Sequence, residues 1–309
     1  MAGLIAAIVV FVGLIIFVSR APTDFPDHEI VRIKSGTYLS QAADLLVTKN
    51  VIRSSFMLKL YVMLMSGHRQ VQAGDYLFDK PQSSFKIAYR LINGDLALPK
   101  IKVTLTEGLT SKDVAAVIKK NVPNFDVSTF VMLAKPYEGM LFPDTYYFYP
   151  TTEPDDVIQM LRENFTEKVR PLLLDVQASG RSLQDIVTMA SIVEREATST
   201  TDREMIAGIL WKRIKTNMPL QVDPPFYYLL GKDSAHITVD DLAIDSPYNL
   251  YKHTGLPPTP IDNPGLDAIT ATLHPVSTDY WFFLSDRSGR THYAVTYDQH
   301  TANRRKYLE

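Results

Sequence analysis

The stretch SLQDIVTMASIVEREA, residues 182–197, predicts the helix around which the rest of the chain is organised. Ser182 can cap this helix, and Asp185 can reach back to the free amides of its first turn. Five apolar side chains recur at helical spacing and form one stripe: Ile186, Met189, Ala190, Val193 and Ala197. At about 100° per residue, Glu194 and Glu196 fall to either side of this stripe, roughly 80° from its centre. The two carboxylates therefore share no face.

At most one of these carboxylates is expected to do acid–base chemistry, because paired acids must lie within reach of one another and these two diverge. Glu194 is the better candidate. Ile192 and Val193 precede it, and half-apolar surroundings raise the pKa of a carboxyl group and keep it a proton donor near neutral pH. On this helix alone a structural explanation is stronger: both glutamates border an amphipathic helix and are solvated or paired with arginine.

Composition narrows the class of protein. A chain of 309 residues with 46% hydrophobic residues can build two or three domains with real cores. The net charge is −2 and no basic run occurs, so nothing indicates nucleic acid as a partner. The absence of cysteine excludes disulfides, a thiol nucleophile, iron–sulfur ligation and a lipidated cysteine.

Several kinds of catalytic site find no support in the sequence. The seven histidines are scattered without metal-ligand spacing, so we expect no metal. There is no GxSxG motif of a serine hydrolase. Walker and GxGxxG loops for nucleotides are also missing, and we expect no cofactor.

The N-terminus predicts a membrane anchor. Residues 2–18 carry no charge and span about 26 Å as a helix, slightly less than a hydrocarbon core of about 30 Å. A cleaved signal peptide is the alternative, but no basic region precedes the run and Val18, Ser19 and Arg20 make no Ala-x-Ala site. With only Met1 in front, the positive-inside rule gives no orientation.

A diverged internal repeat follows. RIKSGTYLSQAADLL around Gly36 and TLTEGLTSKDVAAVI around Gly108 both predict a strand, a glycine turn and a helix that begins at Ser or Thr. Each copy continues into a glycine–aromatic strand signal, AGDYLF or EGMLFPDTYYFY, and then a helix, predicted at residues 84–93 and 154–169. Two small α+β modules in tandem are therefore expected.

The predicted fold class is α+β, with an N-terminal membrane helix ahead of small modules and a larger mixed domain. The expected order is a transmembrane anchor 1–20, a linker 21–29, a module 30–98, a second α+β module 99–180 and a domain 181–309 that contains Glu194. The first module resembles a LysM-type module, a fold commonly used to bind glycans. A plain spacer explains its pattern equally well.

The C-terminal third carries polar and aromatic groups on stiff segments. Thr201 and Glu204 predict a capping box for a second helix. Gln221 and Asp223 follow on a proline-bounded segment, and Tyr248 and Asn249 precede a proline-rich loop at 254–265. Such groups can stack on sugars and hydrogen-bond to them, although tight turns that brace the domain explain them equally well.

The remaining elements are a helix at 266–273, a hairpin of strands at 280–284 and 292–296, and a final helix at 298–308. Glu194 and Asp223 are the main candidates for acid–base chemistry. His292 and His300 can join them, or each can be a hydrogen-bonded structural residue.

Five ordered motifs together resemble one family. They are ASIVERE at 190–196, LQVDP at 220–224, YNLY at 248–251, GLPPTPIDNPG at 255–265 and the ending with His292, Asp298, His300 and Asn303. With EGMLFPDTYYF at 138–148 and the anchor, they resemble the YceG-like, or MltG-type, endolytic murein transglycosylases over nearly the whole chain. Small departures stand at Val222, Pro225, Phe226 and Tyr293, which can alter the shape of the cleft.

The resemblance implies a bacterial protein anchored in the cytoplasmic membrane that cuts nascent peptidoglycan strands internally on the outer side. It maps the catalytic glutamate onto Glu194. One carboxyl group suffices for lytic transglycosylation, because the C6 hydroxyl of N-acetylmuramic acid attacks its own C1 and replaces the second catalytic group of a hydrolase. We hypothesise that Gln221, Asp223, Tyr248 and Asn249 hold the sugar. Expected partners are glycan strands, the membrane and peptidoglycan synthases (penicillin-binding proteins).

Two alternatives remain open from the sequence. A non-catalytic, membrane-anchored scaffold that binds peptidoglycan keeps the anchor, the LysM-like module and the aromatic loops. A true muramidase uses Asp223 as the partner acid of Glu194.

Overall fold

The computed structural model describes residues 2–67 and 71–308, which belong to two compact units. The first unit comprises Met1–Lys100 and Tyr149–Thr151, and the second comprises Ile101–Phe148 and Thr152–Glu309. The predicted mixed α+β class with an N-terminal apolar helix is confirmed. The second unit holds most of the predicted module 99–180 together with the domain 181–309, and the boundary at residue 180 stays a prediction.

The first unit begins with helix α1, Ala2–Ser19, which is long and apolar enough to cross a membrane. Its side chains are exposed except those of Ile15 and Val18, which are partly buried, and that of Ser19, which is buried. A helix that is hydrophobic all round and covered only at one end fits a single-pass membrane anchor.

The rest of the first unit is a two-stranded sheet with three helices. In chain order the elements are β1 Glu29–Ile33, α2 Leu39–Thr48, α3 Ser55–Ser66, β2 Gly74–Phe78 and α4 Ser84–Asn93. β1 pairs antiparallel with β2, with Val31 opposite Tyr76. Alternate strand residues point inward, so Ile33 and Phe78 join the side of the sheet that the helices bury. The predicted order and the bounds of α4 agree with the structure, and the likeness to LysM stays a prediction.

The second unit opens with the second copy of this pattern. Its elements are β3 Ile101–Thr104, α5 Ser111–Asn121, α6 Val127–Ala134, β4 Thr145–Phe148, α7 Pro154–Val169 and α8 Leu173–Ser179. β3 pairs antiparallel with β4, with Val103 opposite Tyr146. Thr110 caps α5 in a capping box with Asp113, at the helix start that the repeat predicts.

The remaining elements surround one buried helix. They are α9 Leu183–Glu196, α10 Thr200–Lys215, α11 Pro224–Leu230, α12 Val239–Ala243, α13 Leu266–Leu273, β5 Phe282–Ser285, β6 Thr291–Ala294 and α14 Tyr297–Tyr307. α9 packs against both α10 and α13. Residues 186–193 of α9 are all buried, so the predicted stripe faces this core. The Ser182 hydroxyl accepts from the Asp185 N–H at 3.0 Å, a cap that contributes roughly 1 kcal/mol.

Three local predictions need correction. The cap of α10 is Ser199, which accepts from the Asp202 N–H at 3.1 Å, and not Thr201 with Glu204. The chain is already extended at Ala197 and Ser199, so the first hydroxyl able to cap takes the position. The segment after Asp223 is the helix α11, because proline is favoured in a first helical turn. The hairpin strands β5 and β6 lie one or two residues from their predicted bounds.

Candidate functional site

Glu194 lies in the last turn of α9 with a side chain that is only 6% exposed. Its Oε2 accepts a hydrogen bond from the Gly265 N–H at 2.9 Å, and its Oε1 accepts one from Arg203 Nη2 at 2.5 Å. Burial raises the pKa of Glu194, while the Gly265 N–H and the Arg203 cation act in the opposite direction. A buried carboxyl with a raised pKa and two donors can both give and take a proton.

Arg203 joins three helices at this point. From α10 it reaches Glu194 on α9 and Asp267 on α13, with Nη1 2.5 Å from Asp267 Oδ2. Thr200 donates to the same Asp267 carboxylate at 3.0 Å. The guanidinium of Arg203 thus lies between the carboxyl groups of Glu194 and Asp267, and its hydrogen bond fixes the rotamer of Glu194. The sequence contained no signal for this bridge, since Arg203 is one of several charged residues along α10.

A second acid approaches Glu194 from the turn between β3 and α5. Glu107 is exposed, and a Cβ added to Gly265 would stand 2.6 Å from Glu107 Cγ and 3.4 Å from Glu194 Oε2. The charge of Glu107 contributes to raising the pKa of Glu194. Sequence reasoning missed Glu107, because an acid in a glycine turn is most often a solvated surface group.

Asp262 is a buried carboxyl close to Gly108 and Glu194. Its side chain is 0% exposed, and neither oxygen has a hydrogen-bond partner within the described ranges. A Cβ added to Gly108 would lie 3.7 Å from Glu194 Cγ and 3.9 Å from Asp262 Oδ2, so the two carboxyl groups flank the same glycine. Arg195 Nη1 stands 3.9 Å from Asp262 Oδ2. Burial raises the pKa of Asp262 well above its usual value despite this cation.

Asn263 holds the proline-rich loop in place. Its Oδ1 accepts from the N–H groups of Gly139 and Leu141 at 2.9 and 2.8 Å, and its Nδ2 donates to Leu109 O and Glu138 Oε1 at 2.9 and 3.0 Å. All the hydrogen-bonding capacity of this buried amide is used. The loop that brings Asp262 and Gly265 to Glu194 is therefore a rigid wall of the site.

Glu196 faces different surroundings from Glu194, which confirms the prediction that the two share no face. It lines a polar cavity of about 660 Å³ together with Arg195, Gln221 and Asp223. Burial and the neighbouring Asp223 raise the pKa of Glu196 to about 8, against the effect of the Arg213 cation. Asp223 accepts a hydrogen bond from the Tyr251 hydroxyl at 2.6 Å. Gln221 and Asp223, two of the predicted sugar ligands, are thus brought together.

Tyr248 lies elsewhere, on a cavity of about 710 Å³ that Lys112, Tyr227 and Tyr228 also line. Its hydroxyl is 2.8 Å from Thr259 Oγ1, and its ring centroid is 5.2 Å from that of Tyr228. Arg195 lines the first cavity, that of Glu196, and Tyr227 lines the second, that of Tyr248. The Arg195 guanidinium lies 4.0 Å from the centroid of the Tyr227 ring, so the two cavities adjoin at this pair. Within the described chain, Glu194 lines neither cavity but directly precedes Arg195 at this junction.

Asn249, the fourth predicted sugar ligand, is fully buried. Its Nδ2 donates to Leu242 O and Ile244 O at 2.9 and 2.8 Å, and its Oδ1 accepts from the Tyr251 N–H at 3.1 Å. The side chain braces the backbone beneath Tyr248 and offers no free atom to a ligand. Asn249 thus has the bracing role that was the alternative to sugar binding, whereas Tyr248 lines a cavity.

The two histidine candidates have structural contacts. His292 Nε2 is 2.7 Å from Asp286 Oδ2, and its ring stacks on Tyr307 at 3.7 Å. His300 stacks on Phe282 and lines the cavity of Glu196, and burial lowers its pKa. Over residues 2–67 and 71–308, no group of three or more His, Asp or Glu side chains is arranged to hold a metal ion.

Comparison with known proteins gives consistent matches. The model of the YceG-like family matches residues 31–306. A Bacillus subtilis protein named endolytic murein transglycosylase is 33% identical over 305 residues, covering 90% of this chain and 84% of that protein. A Streptococcus pneumoniae protein of the same name is 34% identical over 172 residues, which is 54% of this chain and 31% of that protein. The crystal structure of a yceG-like protein from Listeria monocytogenes superposes with a TM-score of 0.60 at 27% identity, covering 89% of this chain and 99% of that one.

Proposed function

Because this chain belongs to the YceG-like family, we propose that it is an endolytic peptidoglycan lytic transglycosylase. It cleaves the bond between N-acetylmuramic acid and N-acetylglucosamine within nascent glycan strands and leaves 1,6-anhydro-N-acetylmuramic acid ends. The observation that carries the proposal is the carboxyl group of Glu194: it is buried, its pKa is raised, and two donors hold it between Gly108 and Gly265.

Glu194 supplies both proton transfers of the reaction. In its protonated form it donates to the glycosidic oxygen as the bond from C1 to that oxygen breaks. The ionised carboxylate then accepts the proton of the C6 hydroxyl while the C6 oxygen bonds to C1, so no water is consumed. The N–H of Gly265 and the guanidinium of Arg203 stabilise the ionised form between the two steps. Because the nucleophile belongs to the same sugar, orientation replaces a second catalytic group.

The adjoining cavities provide room for sugars on both sides of the cleavage point. We assign Gln221 and Asp223 to one side and Tyr248 to the other, as groups that hydrogen-bond to or stack on the strand. Asn249 supports Tyr248 from below and does not touch the substrate. Glu196, with a pKa of about 8, stays protonated at neutral pH and can donate to a sugar hydroxyl in the first cavity.

The anchor places this chemistry at a membrane. We assign α1 as a single-pass helix in the bacterial cytoplasmic membrane, with the rest of the chain on the extracytoplasmic side, where glycan strands are polymerised. The LysM-like module is proposed to bind glycan, and peptidoglycan synthases are the proposed protein partners. Neither cofactor nor metal takes part in the proposed reaction.

A muramidase activity is the second candidate, and one observation favours it. Asp262 provides a second carboxyl group beside Gly108, near Glu194, whereas Asp223, the partner acid expected from the sequence, lies with Glu196 in the first cavity. If Asp262 ionises when substrate is bound, it can activate water in place of the C6 hydroxyl. A non-catalytic scaffold would not require the two hydrogen-bond donors, Gly265 N–H and Arg203, that meet at the carboxyl group of Glu194.

The deciding experiment is mass spectrometry of purified, uncrosslinked glycan strands after incubation with the full chain in detergent micelles. Glu194→Gln removes the acid with little change in shape, and Glu167→Gln on the exposed face of α7 is the matched control. Anhydro ends that persist in Glu167→Gln and vanish in Glu194→Gln support the transglycosylase. Reducing ends indicate hydrolysis. Strands that every sample leaves uncut favour the scaffold.

A further inference from the structure

Helices α3 and α4 of the first unit present large apolar side chains to solvent. Phe56 and Leu64 on α3 are 68% and 73% exposed, and Phe85 on α4 is 54% exposed. Met63 and Tyr89 are exposed beside them. We call these five residues the apolar face. Single exposed hydrophobic residues are ordinary, but a contiguous group on two neighbouring helices indicates a surface that something covers.

The five side chains form one surface. On α3, Phe56, Met63 and Leu64 fall within an arc of about 100°, given 100° per residue. Phe85 and Tyr89 are four residues apart on α4 and therefore project from the same side of that helix. Tyr61 links the two helices, because its ring meets the ring of Phe85 edge to face at 5.5 Å.

The same surface lies next to the end of α1. The hydroxyl of Ser19, the last residue of α1, is 2.8 Å from the hydroxyl of Tyr61. Arg53 donates to Ala21 O at 3.0 Å, and its guanidinium lies 4.8 Å from the ring centroid of Phe17. A helix of 18 residues spans about 27 Å, slightly less than a hydrocarbon core of about 30 Å. A bilayer that contains α1 therefore reaches the level of Tyr61 and its neighbours.

The charges around the apolar face complement a lipid surface. Neither α3 nor α4 contains an Asp or a Glu, and their exposed or partly exposed cations are Lys59 and Lys86. Lys86 Nζ lies 5.4 Å from the ring centroid of Tyr89. Aromatic rings with lysines beside them are the composition found at membrane interfaces, where the rings enter the headgroup region and the ammonium groups meet anionic lipids.

We propose that the apolar face docks on the surface of the same bilayer that holds α1. The contacts from Ser19 and Arg53 to the module set its distance from the membrane, and the face seats the module flat on the lipid. The partner is an anionic phospholipid interface. The inference rests on the proposed role of α1 as an anchor, and it adds a second, reversible membrane contact to it.

Spin labels at single cysteines test the proposal, since the chain has no cysteine to remove. The full chain is reconstituted into vesicles of phosphatidylcholine and phosphatidylglycerol with a nitroxide at one of four sites: Val10→Cys in α1, Leu64→Cys and Tyr89→Cys on the apolar face, or Ser40→Cys on the polar side of α2. Collision rates of each label with dissolved oxygen and with a water-soluble nickel complex report its depth. Ser40 is the control, because it is exposed and has Asp44 one turn away.

The expected result is lipid-type accessibility at positions 10, 64 and 89, with collisions favouring oxygen, and water-type accessibility at position 40. Water-type accessibility at 64 and 89 with lipid-type accessibility at 10 overturns the docking and leaves the anchor intact. Water-type accessibility at position 10 overturns the anchor and the docking with it. Dipolar broadening at position 64 that disappears on dilution with unlabelled protein shows that a second copy covers the face, and this also overturns the proposal.

Discussion

The N–H of Gly265 donates to Oε2 of Glu194 at 2.9 Å, across 71 residues of sequence. A hydrogen bond of this kind favours the ionised carboxylate, whereas burial favours the protonated carboxyl group. The two effects oppose each other on one group, and burial is the larger. Glu194 therefore keeps its proton to higher pH than an exposed glutamate and still has a partner ready when the proton leaves.

Arg203 is expected to set the alkaline limb of the pH profile. Its cation lowers the pKa of Glu194, so Arg203→Met should move that limb of kcat/KM to higher pH. We also expect activity to fall by roughly 10- to 100-fold, because the carboxyl group loses its orientation. Asp267→Asn is the control, since it removes the other partner of Arg203 and leaves Glu194 paired. An alkaline limb that stays in place in Arg203→Met contradicts this role.

In the muramidase candidate Asp262 activates the water, so its replacement should affect hydrolysis alone. Asp262→Asn keeps the shape of the side chain and removes the acid, so reducing ends in the product mixture should fall at least about tenfold while anhydro ends persist. Mass spectrometry of the strand ends measures both products in one sample. If anhydro ends fall in parallel with reducing ends, Asp262 serves the reaction or the fold in a more general way.

Asn249 and Tyr248 are adjacent in sequence and should have separable effects. Asn249→Ala leaves two partly buried carbonyl groups without their donor, and we expect a loss of roughly 2–3 kcal/mol in the free energy of unfolding. Tyr248→Phe removes one hydroxyl contact and should cost about 1 kcal/mol or less, while KM rises. Trp211 and Trp281 both lie in the second unit, so their fluorescence reports its unfolding. Unchanged stability in Asn249→Ala would refute the bracing role.

Glu138 should make the second unit less stable as pH rises. Its side chain is 4% exposed, and burial raises its pKa to about 7 from an ordinary value of 4.5, although Ser111 and Asn263 donate to it. Between these two values the folded protein binds more protons than the unfolded chain, so stability present below about pH 4.5 is lost as pH rises through about 7. The whole change is on the order of 3 kcal/mol at 1.36 kcal/mol for each pKa unit.

Glu138→Gln mimics the protonated carboxyl and can keep the same partners. Relative to the native chain, we expect this variant to be about equally stable near pH 4.5 and increasingly more stable toward about pH 8. Fluorescence-detected unfolding at both pH values gives the difference. A constant difference across this range would mean that Glu138 does not titrate in it.

Local pattern was sufficient for much of the fold. The helices α4, α7 and α13 have the predicted bounds. A serine cap marks the start of α4 and a proline that of α7, while α13 begins directly after Pro264 and Gly265. The stripe on α9 and the divergence of Glu194 and Glu196 also follow from helical geometry alone.

The surroundings of Glu194 could not be found in this way. Glu107, Arg203 and Asp262 come from three separate segments, and nothing in the composition of those segments indicates that they converge. Asn249 shows the same limit. In the sequence, an asparagine beside tyrosines is typical of a sugar-binding loop, and only the packed structure shows that its amide already donates to two backbone carbonyl groups. The order of the sequence motifs was sufficient to indicate the family, whereas contacts between distant segments determine which side chains surround Glu194.

The hydrogen bonds of Asn263 have a consequence for when the chain becomes active during its synthesis. This residue binds the backbone of Gly139 across 124 positions, and Gly265 completes the environment of Glu194 only two residues later. Because the chain is synthesised from N- to C-terminus, Glu194 is made 71 residues before Gly265. Its carboxyl group therefore exists before its surroundings are complete. Contacts this distant in sequence form late, because the entropy of closing the loop must be overcome first. Given the proposed extracytoplasmic location, we expect a partly exported chain to be inactive toward glycan strands until translocation is complete.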